Sequence, residues 1–378
     1  MAKFFETIII GAGASGLMAG VKLKHKNIAI LEKSSKIGEK IKISGGGRCN
    51  ITNSKLSAKN YLGDEEFVKE VLKNFDNRDL LNFLKTRGLT TQIKKNTQYF
   101  CKKSSNELLE LFKNELKKTK IFFNHTVLEV KKDKLFQIIT NCGVFESENL
   151  VVASGGLSYK SLGASDISFE IARNFGHKIV TLNPALVGFT LQPNQFWFKN
   201  LSGVSMNVEI SVQGRNFREF ILFAHKGMSG PAILNSSLYW EKGLIKIDFL
   251  PNDPIKKFLN SSNKLISSAL PLPKSFIKEF LKSINLEDKA ISKLTSLERE
   301  KLQLLKSYNF SPAGNFGYTK AEVTKGGICT DEIDFNTMMS KIVKNLFFLG
   351  ENLNITGELG GYNFQWAFSS AMRLNLKK

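Results

Sequence analysis

Residues 5–16 read FETIIIGAGASG, and this stretch decides the fold. The apolar run Thr7 to Ile10 leads into Gly11-Ala12-Gly13-Ala14-Ser15-Gly16, and helix formers begin at Leu17. That order is strand, tight turn, helix. In this context each glycine of a GxGxxG has a use: the first permits the turn, the second lets a pyrophosphate approach the backbone, and the third lets the helix pack on the strand. The helix N-terminus then offers unpaired N–H groups and a partial positive charge to phosphates. Glycines also mark ordinary turns, so the flanking pattern carries the argument. A second strand-like run, Asn27 to Leu31, ends in Glu32, 16 residues past Gly16. That is near the ~20 residues at which a carboxylate accepts the adenosine ribose hydroxyls. The chain is therefore expected to build a dinucleotide site on a parallel α/β sheet.

At 378 residues the chain exceeds one typical core and should form two or three domains. Hydrophobic residues at 42% and charged residues at 23% are ordinary for a globular protein. The formal net charge of +20 is not, and it raises the question of an anionic partner. The lysines are spread as singles and pairs with no block of five or six, which favours scattered solvated charge over a dedicated nucleic-acid surface. Cys49, Cys101, Cys142 and Cys329 form no CxxC pair, and the four histidines (25, 125, 177, 225) are equally dispersed. No dithiol centre and no metal site is expected, and a reducing cytoplasm is the simplest compartment. Glu6 interrupts the first apolar run, which argues against an export signal, and no run reaches the ~18 apolar residues of a membrane span.

The most unusual local stretch is KIGEKIKISGGGRCNITN, residues 36–53. Three consecutive glycines weaken helix and sheet alike, and they suit a loop where the main chain lies against a flat or charged ligand. Arg48 brings a fork of donors suited to a pyrophosphate or a ring carbonyl, and Asn50, Thr52 and Asn53 add neutral polar groups. Glu65 to Arg87 reads as one or two amphipathic helices, and Glu107 to Lys118 as another. Ile121–Phe123, His125–Lys131, Leu135–Thr140 and Val144–Glu146 read as a small meander, and Leu150–Ala153 as a separate buried strand closing on Ser154-Gly155-Gly156. After Pro184 the pattern turns to hairpins, and from Ile255 to Lys306 it is helical. The nucleotide-binding pattern resumes near Ala321, with a turn expected at Gly326-Gly327, a strand Leu346–Leu349 ending at Gly350-Glu351, and a helix starting near Gly360-Gly361-Tyr362-Asn363. A helix start aimed at a flavin would stabilise the anionic reduced ring.

Across its whole length the chain resembles the bacterial FAD-dependent oxidoreductases that include aminoacetone oxidase and a bile-acid reductase, the BaiN-like family. ISGGGRCNITN at 43–53, HKGMSGPAIL at 225–234 and GELGGYNFQWAFSSA at 357–371 carry the resemblance. It implies an α/β fold: a discontinuous Rossmann-like FAD-binding domain (1–185 and 321–378), interrupted by a β-barrel-like domain (186–252, returning at 308–320) and a small helical insert (253–307). It further implies FAD contacts from Gly11, Gly13, Ala14, Ser15 and Gly16, from Glu32 with Lys33, and from Ser44, Gly45, Gly46, Gly47, Arg48, Cys49 and Asn50. Val127 would lie near the adenine, Ala153 and Gly155 below the cofactor, and Gly350, Glu351, Gly361, Tyr362 and Asn363 near the flavin. The family pattern is broken at Ala224, at Leu359, at Phe100-Cys101 and over Asn352–Thr356, all of which bear on the substrate pocket.

The expected function is hydride transfer between bound FAD and a small organic substrate, as reductase of an enone-like compound or oxidase of an amine. No second GxGxxG occurs between residues 160 and 350. A nicotinamide, NADH or NADPH, would therefore dock only transiently, or electrons would pass from the substrate to oxygen. Tyr362, Tyr159 and His225 are the proton-donor candidates, each with a purely structural role as the alternative, and the sequence assigns no catalytic residue. The rival reading is a basic flavoprotein that binds or modifies nucleic acid. No known nucleic-acid module is visible to support it.

Overall fold

The computed structural model describes residues 2–95, 97–260 and 262–376. It divides into two compact units, one made of the chain up to Pro184 and from Glu322 onward, the other of Ala185–Ala321. In chain order the first unit runs β1 (Lys3–Ile10), α1 (Ala14–Leu23), β2 (Ile28–Leu31), α2 (Glu39–Gly47), β3 (Asn50–Asn53), β4 (Tyr61–Leu62), α3 (Glu65–Asn74), α4 (Asn77–Lys85), β5 (Thr91–Lys94), β6 (Gln98–Cys101), α5 (Asn106–Glu115), β7 (Lys120–Phe122), β8 (Val127–Lys132), β9 (Phe136–Thr140), β10 (Gly143–Val152) and α6 (Ile167–Asn174). Strands Val323–Ile328 and Leu346–Phe348 and the helix Tyr362–Arg373 follow the second unit.

Among the described residues the first unit's main sheet has nine strands, with β1 in its interior between β10 and β2 and parallel to both. Ile8, Ile9 and Ile10 are buried to within 4% exposure, as a strand covered on both faces requires. The strand Leu346–Phe348 joins β10 in parallel, so the C-terminal part of the chain completes a sheet begun by the N-terminal part. The acidic caps Asp64 and Asp76 start α3 and α4 by accepting from backbone N–H groups of their first turns.

Three local expectations change. The segments read as separate strands at 144–146 and 150–153 are one strand, β10, antiparallel to β9 at its start and parallel to β1 along most of its length. The polar Ser147-Glu148-Asn149 interrupts the apolar pattern, but Ser147 and Asn149 are buried, and Asn149 donates to the Glu6 carbonyl. The glycine stretch begins as helix: α2 runs from Glu39 before Ser44, Gly45 and Gly46 leave helical geometry. Gly326-Gly327 is not a turn but lies inside the strand Val323–Ile328, where a Cβ at Gly326 would stand 2.2 Å from the Thr181 carbonyl oxygen.

Among the described residues of the second unit, seven strands pair antiparallel in the order Tyr308–Phe310, Ile245–Asp248, Ser205–Val212, Arg215–Ala224, Gly227–Ser229, Phe189–Leu191 and Pro312–Asn315. Ser311 alone separates the first and last strands of that order, so the sheet curls round on itself. The helices of 253–307 belong to the same unit and pack through Phe276, whose ring lies 4.7 Å from that of Phe249.

One polar chain in the first unit runs from the buried His177 to the partly exposed Glu332. The His177 Nδ1 lies 3.1 Å from the Glu332 carboxylate and its Nε2 2.8 Å from the Ser340 hydroxyl, with the side chain sealed from solvent. The Ser340 oxygen already accepts the N–H groups of Ile342 and Val343, so its proton points to Nε2, and Nδ1–H donates to Glu332. Burial, opposed by Glu332, holds the imidazole pKa below its usual 6.5. The unfolded chain takes up this proton near pH 6.5 while the folded chain resists it. Stability should therefore be level above that pH and fall below it, by up to about 1.4 kcal/mol per pH unit. Denaturant titrations from pH 8 to pH 5 should show this acid limb in the wild type and a flatter one in His177→Gln.

Candidate active site

Each glycine of the first turn has a different environment. Gly11 has φ +101°, and a Cβ there would stand 2.7 Å from the Ala153 carbonyl oxygen, so the ends of β1 and β10 pass in contact. A Cβ on Gly16 would stand 1.9 Å from the Gly11 carbonyl oxygen, which is how α1 seats directly on the turn. Gly13 has nothing within 4 Å of its missing side chain. It is also the N-cap of α1, without a side-chain capping bond and with no acid in the first turn. The turn thus presents open backbone and a helix N-terminus to an anion.

Beside it, the Glu32 carboxylate accepts from the N–H groups of Ala12 (2.6 Å) and Ser34 (2.7 Å), leaving acceptor positions for a ligand. Glu32, Lys33 and Val127 line one cleft with Gly11. His125, Ser154 and Gly163 line it too, and the sequence reading did not name them as site residues. Ser154 was legible in principle, since it stands between the named Ala153 and Gly155. His125 and Gly163 carried no signal. The Ser154 Oγ is buried without a protein partner, and Gly155 has an open face.

The Ser44–Asn50 loop is held by left-handed residues: Gly45, Gly46, Gly47 and Cys49 have φ of 57°, 65°, 79° and 47°. Gly46 and Gly47 are open on their missing side-chain faces, and Arg48 is exposed beside them. The Ser44 hydroxyl is spent on the Ile41 carbonyl. Cys49 is fully buried beside Cys101, and burial pushes its thiol far up, so only its backbone is available to a ligand. Asn50 donates through Nδ2 to Gln98, while its Oδ1 is buried with no protein partner and would lie 2.8 Å from a Cβ on Gly361. The Asn53 amide donates to the Gly360 carbonyl, and the Tyr61 hydroxyl donates to the Tyr362 carbonyl. The loop and the start of the C-terminal helix, some 310 residues apart, thereby form one wall. That helix too has a glycine N-cap, Gly361, with no capping side chain and no acid in its first turn. Asn363 instead exchanges two hydrogen bonds with Gly357, at 2.9 and 2.8 Å.

Gly350 closes the arrangement from the other side, since a Cβ there would stand 2.8 Å from the Ser15 Oγ. Glu351 pairs with Lys40 at 2.9 Å and accepts from the Thr324 N–H at 2.9 Å. Around this pair lie two groups whose pKa burial pushes up: the Glu322 carboxyl, raised despite Lys40, and the Tyr159 hydroxyl, raised by burial and then by Glu322. The Lys40 ammonium is 5.9 Å from the centre of the Tyr159 ring, and Tyr159 holds a left-handed backbone, φ 65°. Lys40 and Glu322 are functional candidates that no sequence motif marked. The other two proton-donor candidates fare differently. The Tyr362 hydroxyl donates to the Lys55 carbonyl and burial pushes it up to about 12, while His225 is exposed in the second unit. Among the described residues no group of acids, histidines and cysteines could hold a metal, and no helix is long and apolar enough to cross a membrane.

The HI0933-like protein Rossmann domain model matches residues 5–375. The chain belongs to that family. It is accordingly an FAD-dependent oxidoreductase with a Rossmann-like FAD-binding fold, and the BaiN-like resemblance of its motifs holds. It is 36% identical over 391 aligned positions to a ribosomal RNA dihydrouridine synthase of Haemophilus influenzae, covering 98% of both chains. It is 29% identical to a 3-dehydro-bile acid delta(4,6)-reductase of Clostridium scindens, covering 96% of both. Among solved structures, a 3-ketosteroid-delta4-(5alpha)-dehydrogenase from Rhodococcus jostii RHA1 superposes with a TM-score of 0.51 at 12% identity, over 98% of this chain and 96% of that one. That similarity is one of fold alone.

The second and third glycines of the first turn separate packing from binding. Gly16→Ala should lower thermal stability markedly, because its Cβ meets backbone that cannot move aside, and should lose flavin with it. Gly13→Ala meets no protein atom and should change stability by about 1 kcal/mol or less. It should nonetheless purify with a reduced flavin-to-protein absorbance ratio, since the methyl occupies the space next to the open helix end.

Proposed function

We propose that this enzyme saturates a carbon–carbon double bond conjugated with a carbonyl, and that its substrate is a uracil base in ribosomal RNA. The observation that carries the reading is the 36% identity, over nearly the full length of both chains, with a ribosomal RNA dihydrouridine synthase. Making dihydrouridine adds a hydride and a proton across a bond conjugated with a ring carbonyl. A delta(4,6)-reductase of a 3-dehydro-bile acid acts on the same electronic arrangement in a different skeleton. Both named relatives reduce, which favours the reductase over the amine oxidase. The net charge of +20 supports an anionic substrate, against the first impression left by its even spread along the sequence.

The protein's own groups suit the cofactor. The open N-terminus of α1 at Gly13 would take the pyrophosphate, Glu32 the ribose, and the Ser44–Asn50 loop with the start of the C-terminal helix the flavin ring, where Asn50 Oδ1 waits unpartnered. Bound flavin supplies the hydride. The proton is this chain's task, and Tyr159 is the group we assign to it. Its hydroxyl stays protonated at neutral pH, and Lys40, fixed by Glu351, stands over its ring. Reduction by a transiently docked NADH or NADPH fits the lack of a second dinucleotide motif.

A second reading, a small free enone as substrate, is favoured by the bile-acid reductase. Anaerobic flavoprotein, first reduced with NADPH or NADH, should be reoxidised by unmodified ribosomal RNA, with a mass gain of one H2 per converted uridine. Reoxidation by a steroid dienone but not by RNA would favour the second reading, and failure of both nicotinamides to bleach the flavin would defeat the reductase assignment. Tyr159→Phe should keep its flavin and melting temperature while turnover falls by about 100-fold or more, in line with the loss of a general acid.

A further inference from the structure

Acidic residues are absent from two stretches of the chain that the fold brings together. Residues 40–63 hold Lys40, Lys42, Arg48, Lys55 and Lys59 and no Asp or Glu, and residues 88–106 hold Lys94, Lys95, Lys102 and Lys103 and none. With 34 acids in 378 residues, about four would be expected in these 43 positions. Between the two stretches the chain is mixed in sign, so their common bias is invisible along the sequence.

The fold makes them one surface. β3 pairs with β6 in the register Asn50↔Phe100 and Asn53↔Gln98, and β6 pairs with β5. At one end the Cys101 N–H donates to the Arg48 carbonyl (3.0 Å), the Ser105 N–H to the Gly47 carbonyl (2.9 Å) and the Ser105 hydroxyl to the Lys42 carbonyl (2.8 Å). At the other end the Ser54 N–H donates to the Thr97 carbonyl (2.8 Å). Lys42, Arg48, Lys55, Lys95, Lys102 and Lys103 are exposed. Lys40 is paired with Glu351, and Lys94 lies 5.4 Å from the centre of the Phe100 ring. The Glu107 carboxylate, the nearest acid on the adjoining helix, is occupied by the N–H groups of Lys103 and Ser104. Two aliphatic side chains stand exposed on the same elements, Ile43 at 43% and Ile93 at 56%.

We infer that this surface, centred on the β3–β6–β5 sheet, is a binding site for the phosphate backbone of single-stranded RNA. The inference rests on the RNA reading of the active site and deepens it. Among the described residues Lys42, Arg48, Lys55, Lys95, Lys102 and Lys103 form no ion pair, whereas Glu351 takes Lys40 and Glu358 accepts from the Asn60 amide; such exposed cations release condensed counterions on meeting phosphates, and the aliphatic side chains offer apolar contact to unstacked bases. The sheet carries the glycine loop at one of its ends, so a strand held here is held next to the proposed flavin wall.

The test uses the full-length flavoprotein and a labelled 20-nucleotide oligouridine, with Lys42, Lys102 and Lys103 changed together to Glu. Exposed Lys256, Lys274 and Lys278 of the second unit, changed likewise, serve as the control. Loss of three phosphate contacts should flatten the slope of log affinity against log salt by about 2, and weaken binding at least tenfold at 0.1 M salt, with flavin content and melting temperature unchanged. The control should keep the wild-type slope. An unchanged slope in the first variant, or an equal loss in the control, overturns the site. Lost flavin, or a raised KM for NADPH with RNA affinity intact, assigns the cations to cofactors and overturns it too. Lys102→Ala/Lys103→Ala replaces the triple variant if that one misfolds, and should flatten the slope by about 1.4. Failure of wild-type protein to bind or reduce RNA defeats the substrate reading itself, whereas normal RNA reduction by wild type with an insensitive variant defeats only the surface.

Discussion

The contact between Gly16 and the Gly11 carbonyl governs the first unit. Because no side chain separates them, α1 starts directly above the end of β1, whose last residues pass in contact with the end of β10. The Ala12 N–H is in turn free to meet Glu32, which ties the end of β2 to the same turn. Ser15, one residue before Gly16, meets Gly350, and through it the last strand of the sheet. A methyl at Gly16 would displace all of these at once, since the neighbour it meets is backbone. The proposed dinucleotide end of the site is thus a consequence of packing, and the groups it offers are largely main-chain ones.

The other end follows a different logic. The wall formed by the Ser44–Asn50 loop and the C-terminal helix is made by side chains reaching across the sequence: Asn53 to Gly360, Tyr61 to Tyr362, and Thr52 to Gln365 at 2.5 Å. These bonds are buried, so each compensates polar groups that would otherwise be costly in the interior. They also dispose of one mechanistic candidate. Tyr362 neighbours the most distinctive C-terminal motif, but its backbone and its hydroxyl are both engaged in stitching the wall. Tyr159 has no such employment, and its backbone is held in a conformation that a non-glycine residue adopts at a cost.

What the sequence made legible divides along the same line. Strand, turn, helix and acid at residues 5–32 were readable because each step is local, and the structure reproduces them with the three glycines in three distinct environments. The burial of β10 across Ser147 and Asn149 was not readable, because pairing with β1 sets it: the Asn149 amide donates to the Glu6 carbonyl, while the Ser147 hydroxyl is buried without a protein partner. The Gly326-Gly327 pair looked like a turn for a sound local reason. The carbonyls of Thr181 and Asn352, which demand glycine there, belong to segments 145 residues upstream and 25 residues downstream. Lys40, Glu322 and Tyr159 were scattered singles until folding placed them together.

The charge of the chain shows how far such scattering can mislead. Judged along the sequence, 54 cations against 34 acids read as a uniform excess, since no block of like charge stands out. A surface, however, is assembled from strands, and two strands with modest local bias make a strong one when they pair. Four cations at 94–103 and five at 40–59 are each unremarked in isolation; hydrogen-bonded side by side, with the acids that would neutralise them lying outside both stretches, they set the sign of one face. Local charge density matters because phosphate binding scales with the number of cations engaged together, while the total over the molecule acts only at long range and is screened within about 8 Å at physiological salt. Were the reacting group a base within a polyanion, as proposed, that density would be needed beside the cofactor loop, and the pairing of β3 with β6 brings the two cation-rich stretches to the place where Arg48 and the glycines stand.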